Sequence, residues 1–408
     1  MSNSDEGLLE GVRVIELGQF IAGPMAGRML ADLGAEVIKI EFAPHGDLMR
    51  NYPPVKAGQS GVFILENRGK QSVCVDINRA EGAEIVKGLA AKADVVIENF
   101  SPGVLARRGL NYEELSRINP GLIMCSVSGF GQTGPFANRP SNDRVAIAMS
   151  GIMHLTGEPD GTPMPTGTSI ADANAAVHAF GAVCAALFSR GRTGRGRYID
   201  LSLMESLFHF LDLPLAIYLL SDGQISPNRF GVHNPTTAPS GLFKARDGYV
   251  VISVFLHQWE NFARAIGKPE LITDPRFSPA AQRVKNRTAL TEIIEQWLDS
   301  FSSRDEALEI LAEHRIISSP VLDVAAAANH PQMKVRGALQ EVVHPGIGAL
   351  PLPVAPFHFS GSPVTIPGRT PALGEHNEAV LSRLLDFSPE RIAALTDSGV
   401  LIKRGLGE

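Results

Sequence analysis

The stretch VRVIELGQFIAGPMAGRMLADLGAEVIKIE, residues 12–41, decides the fold. VRVIEL (12–17) is short, apolar and rich in β-branched residues, so it reads as a buried strand. GPMAGRMLADLG (23–34) reads as a helix. Pro24 stands where a first turn tolerates a missing N–H, and Gly34 stands where a helix ends. EVIKIE (36–41) is the next strand. A strand, a helix and a strand in this order make a βαβ unit, whose strands pair in parallel through a right-handed crossover.

The alternation continues outward from that unit. SVCVDI (72–77), DVVIEN (94–99) and LIMCSVSG (122–129) read as strands, with helices over AEGAEIVKGLAAKA (80–93) and GVLARRG (103–109). The pattern predicts an α/β fold with an open, doubly wound, Rossmann-like sheet. Ligands of such sheets lie outside the carboxyl ends of the strands. From 170 to about 220 the chain is mostly helical. SPNRFGVHNPTTAPSG (226–241) then marks a boundary, and LFKARDGYVVISV (242–254) reads as two strands joined at Asp247-Gly248. Residues 226–320 are expected to form a smaller α+β domain, with a return linker over 321–345. The tail EHNEAVLSRLLDFSPERIAALTDSGVL (375–401) predicts two short helices packed back on the first domain.

Composition narrows the function. The 408 residues are 44% hydrophobic and 20% charged, which suits a globular protein of two domains. A net charge of −6 argues against bulk binding to nucleic acid or a membrane surface. Cys74, Cys125 and Cys184 form no C-x-x-C pair and read as reduced core residues of a cytoplasmic protein. The polar opening MSNSDEGLLEG does not read as a secretory signal. No apolar run is expected to span a membrane.

Among the motifs, GFGQTG (129–134) matches G-x-G-x-x-G, but Pro135 and Pro140 follow too closely for a helix to open there. A nicotinamide or flavin site is therefore not expected. Its glycines instead suit a loop whose backbone approaches a ligand. The eleven histidines are scattered, His154 and His178 included, with no metal-ligand spacing. Lys39, Arg68, Lys70, Arg107, Arg108, Arg139 and Arg144 fall near predicted carboxyl ends of strands, which favours an anionic ligand as a group. TSIADANAAVHAFGAVCAAL (168–187) places a single acid, Asp172, at the mouth of an apolar helix. Ser169 and Asp172 fit a capping box. The alternative is a reactive carboxylate at the edge of a dry site.

These blocks, in this order, resemble the family III (CaiB/BaiF-type) coenzyme A transferases, which include formyl-CoA transferase and α-methylacyl-CoA racemase. The resemblance runs the length of the chain. It rests on residues 9–41, NRGKQSVCVDI (67–77), DVVIENFSPGVLARRGL (94–110), SVSGFGQTGPFANRP (126–140), TGRGRYIDLSLMES (193–206), DPRF (274–277) and GEHNEAVL (374–381). It implies a large Rossmann-like domain from both chain ends (1–205 and 346–408), linkers at 206–225 and 321–345, and two subunits interlocked as rings. It also implies CoA transfer from an acyl-CoA thioester to a free carboxylic acid, with Asp172 as the nucleophile. The implied cofactor is coenzyme A itself, as acyl-CoA co-substrate, without metal, nicotinamide or flavin. The implied partner is a second copy of the chain, or a related subunit.

The CoA contacts the resemblance implies are Ile21, Ala22, Asn67, Lys70, Asn99, Phe100, Ser101, Arg107, Arg139 and Asn142. Ile21 and Phe42 stand where the formyl-CoA branch carries glutamine and arginine, and the glycine run of that branch is missing near 238–248. These departures argue against oxalate as acceptor. The racemases carry a histidine in a GHD triplet where this chain has Ser141-Asn142-Asp143. An amide is no general base, so transfer is favoured over α-proton exchange. A non-catalytic CoA-binding subunit stays open as a third reading. Arg144 suits the second carboxylate of a C4–C5 dicarboxylate such as succinate, or an ion pair with Asp143.

Overall fold

The computed structural model describes residues 7–407, so the first six residues of the polar opening lie outside it. The chain divides into two compact units. The first holds the residues up to Ile152, Thr166–Asp212 and the chain from Pro331 onward. The second holds Met153–Pro165 and Leu213–His330. Met153–Pro165 thus falls with the second unit, although in sequence it stands inside the large domain.

The first unit is built on six strands: β1 (Arg13–Glu16), β2 (Glu36–Phe42), β3 (Gln71–Val75), β4 (Val95–Glu98), β5 (Ile123–Ser128) and β6 (Arg197–Ser202). All pair in parallel, in the order β3-β2-β1-β4-β5-β6. The chain winds outward from β1 in one direction and then, from β4, in the other. The order therefore reverses between β1 and β4, the position at which sheets of this kind take ligands at the carboxyl ends of their strands. Helices α1 (Ala22–Asp32), α2 (Gly61–Asn67), α3 (Ala80–Ala91) and α4 (Tyr112–Ile118) precede the glycine loop. Helices α5 (Asp143–Met149), α6 (Ile170–Thr193) and α7 (Leu203–Phe208) follow it. One apolar layer joins Ile15, Ile38, Val73 and Val96 to Val86, Leu89, Val380 and Leu381, all buried. The tail is tied in by Asn377, whose Oδ1 accepts from the Cys74 amide at 2.9 Å. Cys74, Cys125 and Cys184 are free thiols.

Two expectations change. Helix α6 has 24 residues and is apolar enough to cross a membrane by length and composition, contrary to the reading of the sequence. Its alanines, Ala171, Ala175, Ala176 and Ala179, are fully buried, so one face of the helix belongs to the core of the first unit. The return linker also carries regular structure, two short helices and a strand in Val324–His344, while the helix at Asp212–Leu220 agrees with the helical reading of 170 to about 220. The second unit contains an antiparallel sheet of Ser240–Ala245, Gly248–Ser253 and Ile317–Pro320. Its core gathers Phe243, Ile252, Phe262, Phe277, Leu290 and Leu311.

Candidate active site

The turn from β1 into α1 lies at the reversal point, and side chains hold its backbone residue by residue. Lys39 Nζ donates to the Gly18 carbonyl at 2.8 Å. Asn99, just past β4, grips Gln19 from both sides: its Oδ1 accepts from the Gln19 amide at 2.8 Å and its Nδ2 donates to the Gln19 carbonyl at 2.7 Å. The Phe20 amide donates to Asp47 Oδ1 at 3.2 Å. Phe20 needs that help, since it sits at φ 61, a left-handed conformation costly for a bulky side chain.

Beneath the turn runs a buried chain of alternating charges. Lys39 Nζ meets Glu16 Oε1 and Asp47 Oδ2, both at 2.9 Å, and Lys70 Nζ meets Glu16 Oε2 at 2.6 Å. Burial opposes the charge on Lys39, but Asp47, Glu16 and Glu41 outweigh it and hold its pKa above the ordinary lysine value. Burial wins at Lys70, pushing it down to about 8 despite Glu16. Gly27 makes this arrangement possible, because a Cβ there would lie 2.2 Å from Glu16 Oε2. Glu41 extends the network by pairing with Arg50 at 2.6 Å.

This chain corrects part of the sequence reading. Asn67 and Lys70 are 0% and 3% exposed, and Lys70 Nζ is spent on Glu16, the Pro24 carbonyl and Asn67 Oδ1. They support α1 from below and present no polar group to a ligand. Lys39 and Arg68, noted as cationic candidates, are likewise fully buried, Arg68 against Asp32 at 2.8 Å. Ile21 and Ala22 stand at the start of α1. Phe100 stacks on Phe42 with ring centroids 4.8 Å apart. Ser101 and Arg107 are exposed, Arg107 on the short turn Ala106–Arg108. Ile21 and Ala22 thus follow β1, and Asn99 and Phe100 follow β4, at neighbouring strand ends, while the side chains of Asn67, Lys70 and Asn99 are spent on contacts within the protein.

The glycine loop lies on the same edge of the sheet and opens no helix. A Cβ on Gly129 would lie 2.2 Å from Ser141 Cβ, so the loop folds back on its own end. The Gln132 amide is taken by Asp200 at 3.0 Å, which removes one of the loop amides from the supply of oxyanion donors. The Arg139 guanidinium lies 3.8 Å from the centroid of the Phe136 ring. Asn142 caps α5, its Oδ1 accepting from the Val145 amide at 3.1 Å.

Asp172 lies in the first turn of α6. Ser169 makes no side-chain cap there. The cap comes from Asp143, whose Oδ1 accepts from the amides of Ala171 at 2.8 Å and Asp172 at 3.2 Å. Asp143 is thereby committed to α6, and Arg144, exposed, has no hydrogen bond or ion pair among the described residues. Burial first, and the Asp143 charge second, push the Asp172 carboxyl up to about 7. The helix terminus does not keep it in the ordinary carboxylate range, as its position alone suggested. Its side chain has no hydrogen-bond partner among the described residues. A carboxyl with no counter-ion, poised near neutrality at a helix mouth, has the properties of a reactive group.

Sequence reasoning missed three acids. Asp143 was read only as a neighbour of Arg144, because the amides it caps lie far along the chain at the start of α6. Asp47 follows a Pro-His-Gly run that reads as plain loop. Glu98, at the end of β4, is pushed up to about 7 by burial, opposed by hydrogen bonds from Ser126 and the Phe100 amide.

Known proteins resemble the chain over nearly its whole length. Residues 9–377 match CoA-transferase family III. The chain is 36% identical over 404 residues to succinyl-CoA:glutarate CoA-transferase of Mus musculus, covering 96% of this chain and 90% of that one. It is 39% identical over 379 residues to acetyl-CoA:oxalate CoA-transferase of Acetobacter aceti, covering 92% and 95%. A solved CAIB/BAIF family protein from Brucella suis superimposes with a TM-score of 0.85 at 38% identity, covering 93% of this chain and 100% of that one. The chain belongs to CoA-transferase family III and is a CoA-transferase.

Proposed function

We propose that the protein moves CoA from an acyl-CoA to a free dicarboxylic acid, with Asp172 as the covalent carrier. An Asp172 oxygen attacks the thioester carbonyl and the C–S bond breaks, leaving a mixed anhydride and CoA thiolate. The thiolate attacks the aspartyl carbonyl, the anhydride C–O bond breaks, and the donor acid departs. The resulting aspartyl-CoA thioester is attacked by the acceptor carboxylate, which forms a second anhydride and frees the thiolate again. Thiolate attack on the new acyl carbonyl releases product and restores Asp172. No net proton, metal or redox partner is consumed, and each hard displacement is split into easier ones.

One observation carries this reading: the only acid in the first turn of α6 is half-buried and, among the described residues, has no counter-ion. The apolar helix behind it limits hydrolysis of the intermediates. Ile21, Ala22, Asn99, Phe100 and Ser101 are the proposed contacts for CoA at the reversal point, with Arg107 for a phosphate and Arg139 and Asn142 along the channel beside Asp172. Arg144 is proposed for the far carboxylate of a dicarboxylate. The relatives named for succinyl-CoA and glutarate favour C4–C5 acids. The one named for oxalate keeps that acid in the acceptor panel despite Ile21 and Phe42.

A homodimer with interlocked subunits is part of the proposal. It is supported by Phe188, 70% exposed on α6, and Leu220, 88% exposed, which a partner surface would cover. The decisive experiment incubates the protein with succinyl-CoA and hydroxylamine and sequences the trapped peptide by mass spectrometry. A hydroxamate on Asp172 is expected, and Asp172→Ala should lower transfer at least ~10³-fold. A label elsewhere, or full activity of the variant, defeats the proposal. Loss of α-proton from a 2-methylacyl-CoA in deuterium oxide without transfer would favour the racemase reading.

A further inference from the structure

We infer that Asp47 is a positioning residue that holds the β1–α1 turn in its binding shape and so governs affinity for acyl-CoA rather than the bond-making steps. The inference rests on the proposal that this turn faces CoA. Asp47 is 1% exposed and does three things at once. Its Oδ1 accepts from the Phe20 amide at 3.2 Å and from the Met49 amide at 3.0 Å, while its Oδ2 pairs with Lys39 at 2.9 Å. Lys39 in turn donates to the Gly18 carbonyl. Gly18 and Phe20 are thus held from one buried ion pair, and Gln19 between them is held by Asn99.

Phe20 shows why a lock is needed. A phenylalanine at φ 61 costs free energy that a relaxed turn would recover by leaving that conformation. The Asp47 acceptor opposes that escape. Asp47 is remote in the chain from Asp172 and makes no contact with it, so its removal should not touch the reacting carboxylate. The left-handed residue is also why Asn99 can reach both polar groups of Gln19: the turn exposes that peptide edge toward the end of β4. Loosening Phe20 should therefore cost ligand affinity, because the free protein would populate the binding-competent turn less.

The test compares Asp47→Ala with wild type for KM of succinyl-CoA, kcat, titration of free CoA, and hydrogen exchange at the Phe20 amide. Asp47→Ala should raise KM and the CoA dissociation constant about tenfold, leave kcat within about threefold, and speed exchange at Phe20. Phe20→Gly added to Asp47→Ala should recover most of the KM, since glycine adopts a positive φ freely, whereas Phe20→Ala should not. If Asp47→Ala does not fold, Asp47→Glu carries the test, because it keeps a charge for Lys39 while moving the carboxylate off the Phe20 amide. A fall in kcat with KM unchanged, no effect on either, or equal recovery by Gly and Ala would overturn the inference. If wild type fails to bind CoA while Asp47→Ala still speeds exchange at Phe20, the proposed function fails and the turn lock survives.

Discussion

Asp172 and Asp143 divide two tasks between neighbouring carboxylates. Asp143 spends its charge on the amides of α6, and Asp172, the third residue of that helix, is left with its pKa pushed up to about 7. Only the ionised form attacks a thioester, so kcat/KM should rise with pH through about 7, measured at saturating acceptor. Stability should run the other way. The folded carboxyl holds its proton up to about 7, while an unfolded one releases it in the ordinary carboxylate range. Between those values the folded state binds more protons, so stability falls as pH rises. Melting of wild type and Asp172→Asn at pH 5 and pH 8 checks this, the wild type losing more on going to pH 8. At Arg144, Arg144→Ala should raise KM for succinate or glutarate roughly tenfold, as expected for losing a charge-assisted contact, and leave a monocarboxylate acceptor unaffected. Equal effects on both acceptor types would remove Arg144 from the acyl pocket.

At the scale of elements, the βαβ start was plain in the sequence because each piece obeys a local rule. β-branched runs make β1 and β2, and Pro24 and Gly34 bound the helix within two residues. The tail helices were plain for the same reason. What stayed hidden depends on contacts between distant segments. Nothing local tells that Lys70 turns inward to Glu16, because a lysine after a glycine normally reads as surface charge. Nothing local tells that the cap on α6 arrives from Asp143 rather than from Ser169, because capping rules look only a few positions along the chain. That cap gives its own expectation. Asp143→Ala should destabilise the protein by about 1 kcal/mol through the lost cap and should also shift the pH profile downward, as one charge facing Asp172 is gone. Thermal denaturation and a pH–rate curve on the same variant read both effects.

Across the whole molecule, the parallel sheet followed from alternating strands and helices and the division into two units from the boundary at 226–241, while the contents of the return linker did not show. The stretch Asp212–Leu220 is helical, as the reading of 170 to about 220 expected, whereas the helices of Val324–Asn329 and Pro331–Val335 are too short to show a helical period. Apolar side chains left exposed on single elements, Phe188 and Leu220 foremost, give the quaternary proposal its test. Light scattering should report twice the chain mass of 43.7 kDa, and Phe188→Asp should shift the protein toward monomer or insoluble material. A monodisperse wild-type monomer that is active would end that proposal.

Gly27 has a consequence for anyone wishing to retune the enzyme. Even a methyl group there collides with the Glu16 carboxylate that anchors both buried lysines. A directed-evolution library aimed at new acceptor acids should therefore freeze positions 16, 27, 39 and 47 and diversify the α5 face that carries Arg144, Val145 and Met149, where side chains are exposed and free of the charged foundation.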